Sequence, residues 1–101
     1  MDDLLTLEIE TVSINNLEFN KVMIDWKHIS ERHPDISQEL VLQAIFQLDG
    51  KHFVEDSNKP PYMYFVSLLK LNEKMYKLVW LLEERGDYVG VLNLYRDDRK
   101  K

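Results

Sequence analysis

The hydrophobic period of this chain changes once, at Asp49-Gly50, and that change constrains the fold more than any other feature. Before it, Leu40, Val41, Ala44, Ile45 and Leu48 recur at the spacing that lines one side of an α-helix. After it, apolar residues recur at strand spacing through three long segments, Tyr62 to Leu71, Lys74 to Glu83 and Tyr88 to Tyr95. Asn72-Glu73 between the first two reads as a tight hairpin, and Glu84-Arg85-Gly86-Asp87 turns the chain into the third. His52 to Asp56 reads as a short strand, and Ser57-Asn58-Lys59-Pro60-Pro61 as a rigid loop. Helices followed by turn-linked strands make an α+β domain, with two short helices packed on an antiparallel β-sheet, a meander. In the strand from Lys74, Tyr76, Leu78, Trp80 and Leu82 share one face and Met75, Lys77, Val79 and Leu81 the other. Both faces are largely apolar, which predicts a central strand covered on both sides, or on one side with a partner on the other.

The first quarter of the chain also reads as strands. Leu5, Leu7, Ile9 and Thr11 alternate with Thr6, Glu8 and Glu10, Asn15-Asn16 is a turn signal, and Leu17 to Ile24 places Leu17, Phe19 and Lys21 on one face. These N-terminal strands are expected at the edge of the sheet. Asp25 then caps a short helix by accepting from its free first-turn N–H groups. Pro34 ends that helix, because the residue before a proline avoids the α region. Asp35-Ile36-Ser37 opens the second helix, with Ser37 or Asp35 as its cap. The whole is one domain over 1–101, with N-terminal strands in 1–25, a helical part in 26–49, the antiparallel sheet in 52–95 and a charged tail in 96–101.

Several function classes drop out. The absence of cysteine excludes disulfides, thiol catalysis and cysteine-ligated metals. No apolar run approaches the ~18–20 residues of a membrane span. The acidic start, Met1-Asp2-Asp3, lacks the basic region of a signal peptide, so a cytoplasmic protein without membrane association is expected. The net charge of −5 opposes indiscriminate binding to a nucleic-acid backbone. It is unevenly spread, with twelve Asp and Glu against four Lys and Arg in residues 1–56, and six against nine in residues 57–101.

The segment Trp26-Lys27-His28-Ile29-Ser30-Glu31-Arg32-His33-Pro34 carries the clearest chemistry. At 3.6 residues per turn, His28 and Arg32 share a helix face and His33 sits about 100° further round. An imidazole moves a proton near neutral pH, and a guanidinium grips phosphate with two donors. A solvated helix face gives the same residues, and His33 before Pro34 also suits a helix C-terminus. The two histidines lack the spacing of a His-Glu-x-x-His zinc site, so neither metal nor cofactor is expected. Lys77 is a cation in a strand that otherwise runs apolar. Tyr62, Tyr64, Phe65, Tyr76, Trp80, Tyr88 and Tyr95 at strand spacing read as core and cross-strand pairs before they read as base-stacking platforms.

A helix with the pattern His-Ile-x-x-Arg-His-Pro, a second helix and then an antiparallel sheet resembles the barnase, EndoU, colicin and RelE-like nucleases, more closely their small phage-type and toxin-type branches. The resemblance covers residues 26–95. It implies His28 as the catalytic histidine, with Arg32 or His33 beside it, and Tyr95 as the aromatic hydroxyl. The nuclease reading takes His28, Arg32 and Tyr95 as catalytic and His33, Lys77, Asn93 and Arg96 as substrate-binding. Asn93 stands where the pattern more often has threonine or serine, and the acidic net charge departs from mostly basic relatives. Two functional readings result. One is a metal-independent endoribonuclease of the toxin type, acting on RNA by histidine acid–base chemistry. The other is a non-enzymatic binding protein on the same fold, an antitoxin, immunity-type or phage-associated partner protein whose acidic half meets a basic protein. A homodimer or a protein partner is expected in either case, and sequence-specific reading of DNA is not.

Overall fold

The computed structural model describes residues 4–97. The acidic Met1-Asp2-Asp3 and the end of the charged tail lie outside the described residues. The elements are β1 (Leu4–Ile14), β2 (Leu17–Asp25), α1 (Trp26–Arg32), α2 (Gln38–Gln47), β3 (Ser57–Lys59), β4 (Tyr62–Leu71), β5 (Lys74–Glu83) and β6 (Val89–Arg96). All the strands form one sheet in the order β1-β2-β6-β5-β4-β3. From β3 to β6 it is an antiparallel meander, as the period predicts.

The sheet as a whole is mixed, which corrects the expectation of a purely antiparallel one. The N-terminal hairpin docks beside β6, and β2 runs parallel to β6 through Val22–Val89, Met23–Gly90 and Ile24–Val91. The helices carry the chain from β2 to the far edge of the sheet, and the meander returns to finish beside β2. A second correction concerns residues 52–59. The short strand is Ser57–Lys59, paired with Tyr62–Tyr64, and His52–Asp56 is the connection before it. Asn15 anchors that connection by donating from Nδ2 to the Phe53 carbonyl (3.0 Å) and accepting from the Phe53 N–H at Oδ1 (2.6 Å).

The two-residue hairpins form where short polar residues stand between strands. Asn15 and Asn16 have φ of 54° and 66°, and Asn72 and Glu73 have 52° and 67°. Paired positive φ is the turn whose twist matches that of the flanking strands. Each helix starts on its expected cap, Asp25 accepting from the His28 N–H and Ser37 from the Leu40 N–H. Gly50 follows α2 with φ 79°, a conformation in which a Cβ is strained.

The core lies between the helices and one face of the sheet. Leu40, Val41, Ala44, Ile45 and Leu48 are all buried, together with Ile29 of α1 and Phe65, Leu78, Trp80, Leu82 and Leu94 of the sheet. Trp80 stacks on Phe65 at 4.2 Å, meets the edge of Phe53 at 5.2 Å and donates from Nε1 to Ser67 Oγ at 3.1 Å. Of the expected N-terminal faces, Leu5, Leu7 and Ile9 pack on the core, but Val12 and Ile14 replace Thr11 beyond a register shift between Glu8 and Val12. In β2 the buried residues are Phe19, Val22 and Ile24, and Leu17 is exposed.

Candidate functional site

A bulge decides which face the last strand offers. Val79 pairs with Asn93 but Trp80 pairs with Val91, so Leu92 is an extra residue on β6. The buried residues of β6 accordingly step from Val89 and Val91 to Leu94. Unbroken alternation would point Tyr95 the same way as Val91, into the core. The bulge instead sets Asn93 and Tyr95 opposite Val79 and Lys77, on the sheet face away from the core.

Three sequence-predicted residues meet there. The His33 ring stacks on Tyr95 with centroids 5.3 Å apart and planes 17° from parallel. Lys77 Nζ lies 6.0 Å from the centre of the same Tyr95 ring. His33 is held by its own backbone: its N–H donates to Ile29 O at 2.7 Å, closing α1, and its carbonyl accepts from the Ile36 N–H at 3.0 Å. Pro34 explains the rest, since His33 as its predecessor leaves the helix with φ −137° and ψ 75°. An imidazole just past α1, a phenol from β6 and an ammonium from β5 thus stand in one row, each half-buried.

The other candidates are placed differently. His28 is half-buried in the first turn of α1, and Arg32 is exposed in its last turn, one residue before the stacked histidine. Asn93 turns its Oδ1 to the Leu94 N–H at 2.9 Å, satisfying backbone beside the bulge. Arg96 lies over the Tyr76 ring at 6.0 Å, and Tyr76 belongs to the core face. Among the described residues, no group of three His, Asp or Glu is placed to hold a metal ion.

One concavity had no counterpart in the motifs. It is a groove of about 260 Å³ across β1, β2, β6, β5 and β4, lined by Tyr62, Tyr64, Tyr88, Leu81, Leu92 and Asp25 among others. Its tyrosines come from one strand, β4, and from the turn before β6, so only a resolved β4–β5–β6 register would reveal it. Tyr62 and Tyr64 have ring centres 6.2 Å apart. The Tyr88 phenol titrates above its ordinary 10.0, chiefly because burial penalises the phenolate, with Glu83 and a hydrogen bond to Tyr62 adding to the effect. No helix is long and apolar enough to cross a membrane among the described residues. Comparison with protein-family models, with curated proteins and with solved structures finds no match.

Proposed function

We propose that this chain is a small metal-independent endoribonuclease. The observation that carries the reading is the row His33–Tyr95–Lys77 on the sheet face away from the core. RNA supplies its own nucleophile, so a protein needs only to move a proton and to balance charge at phosphorus. His33 takes the proton of the 2′-hydroxyl as that oxygen attacks phosphorus. The 5′ oxygen leaves and takes a proton from water, giving a 2′,3′-cyclic phosphate and a 5′-hydroxyl. Lys77 balances the charge that gathers on the phosphate oxygens, and the Tyr95 hydroxyl orients them. Arg32, beside His33 in sequence, supplies a second cation for the neighbouring phosphate. His33 thereby takes the acid–base role that the resemblance gives to His28.

The test is incubation of the purified protein with a mixed-sequence single-stranded RNA and analysis of the new ends. Cyclic phosphate ends are expected, with His33→Ala reducing their rate on the order of 100-fold and leaving the thermal midpoint in place. Intact RNA after incubation with the parent protein overturns the reading.

The second reading, a binding protein, is favoured by the exposed apolar row on the same face, Val66 (47%), Leu68 (46%) and Met75 (41%). Exposed apolar residues grouped in this way mark surfaces that meet other proteins.

A further inference from the structure

We infer that the tyrosine groove is a docking pocket for one arginine side chain of a partner protein. Its floor is Leu81 lying against Gly90, so close that a Cβ on Gly90 would stand 2.7 Å from Leu81 Cδ1. Tyr62, Tyr64 and Tyr88 line it, and so does the acidic residue Asp25 at the junction of β2 and α1. Aromatic faces attract a cation and stack on a planar guanidinium, while a carboxylate matches its N–H donors. Asp25 Oδ1 accepts one hydrogen bond, from the His28 N–H. A carboxylate has about four acceptor positions, which leaves capacity for a guanidinium.

Charge selects the sign of the ligand. Burial is the main reason Tyr88 holds its proton, but the Glu83 carboxylate adds to the effect and is a charge that attracts a cation; Asp87 already lies 3.9 Å from Lys21 Nζ. The net charge of −5 gives long-range attraction of the same sign. Size selects a single side chain, because about 260 Å³ is below the ~300–1,000 Å³ of pockets that enclose drug-sized ligands. The surroundings select a protein as its source. Tyr64 and Leu81 are opposite each other, and Val66 and Leu68 continue the same face of β4 beyond them, exposed. A chain anchored by its arginine in the groove covers those residues. This docking does not depend on whether the protein cleaves RNA.

The probe is an acetylated, amidated five-residue glycine–serine peptide with one central arginine, titrated into the full chain while the tyrosine ring resonances are followed by NMR. Its twin carries citrulline, which keeps the shape and removes the charge. The arginine peptide is expected to shift Tyr62, Tyr64 and Tyr88 saturably, and the citrulline peptide to bind about ten-fold more weakly, the scale of one charge-assisted contact. Asp25→Asn keeps the helix cap and the fold, and is expected to weaken the arginine peptide by a similar about ten-fold. Tyr64→Leu, which removes a ring at a half-buried position, is expected to weaken it as well. Equal binding of the two peptides overturns the inference, as does no shift of the tyrosines by either. Tighter saturation of the same rings by guanosine or adenosine 5′-monophosphate also overturns it, since that identifies a nucleotide subsite.

Discussion

The imidazole of His33 lies on the phenol ring of Tyr95, 5.3 Å between centres and 17° from parallel, with Lys77 6.0 Å from that ring. A stacked pair fixes the histidine ring in orientation while leaving its nitrogens at the ring edge free to exchange protons. Tyr95→Phe keeps the stack and removes only the hydroxyl. It is expected to slow RNA cleavage about ten-fold or more, with RNA affinity and thermal midpoint unchanged. Single-turnover cleavage alongside a binding isotherm separates the two effects.

Lys77→Met preserves the stem that packs on the sheet and removes the charge. If Lys77 holds a phosphate, the slope of log affinity for single-stranded RNA against log salt falls by about 0.7. An unchanged slope removes Lys77 from the contact.

Trp80 is fully buried and its indole N–H meets Ser67 Oγ at 3.1 Å. Ser67→Ala leaves that donor without its partner and is expected to cost about 1–3 kcal/mol. Trp80→Ala removes the ring shared by Phe65 and Phe53 and is expected to cost about 3–5 kcal/mol. Urea unfolding followed by circular dichroism measures both.

Glu73 occupies the second position of the β4–β5 turn with φ 67°. A side chain in the left-handed region costs about 1–2 kcal/mol, partly offset by the extra freedom glycine has when unfolded. Glu73→Gly is therefore expected to stabilise the fold by about 0.5–1 kcal/mol, a rise of several degrees in thermal midpoint.

The Tyr88 phenol holds its proton to higher pH in the folded protein than its ordinary 10.0. Above that ordinary value the folded state binds more protons than the unfolded state, so stability falls as pH rises. The contribution is complete below pH 10 and disappears as pH passes the raised folded value. Tyr88→Phe is expected to flatten the loss of stability between pH 9 and 11, about the span of a phenol titration. Urea midpoints of the parent and variant at the two pH values give the comparison.

Local chemistry was legible in the sequence by itself. Asp25 and Ser37 cap the helices because a short polar oxygen can reach first-turn N–H groups, and Pro34 dictates where α1 stops. The stripe from Leu40 to Leu48 and the turn at Asn72-Glu73 follow from period and turn preference, which act within a few residues. What lies further apart in the chain was decided only by the tertiary structure. Alternation identifies a strand but not its neighbour, so the parallel pairing of β2 with β6 came from the path of the chain across the sheet. A bulge leaves no mark in composition, yet the extra Leu92 turned Tyr95 out of the core and onto Lys77. Where α1 ends put His33 and not His28 on that ring, and register gathered Tyr62, Tyr64 and Tyr88 around one groove. Sequence specifies such residues one by one, but their meeting depends on sheet order and register, which the burial of the whole core enforces.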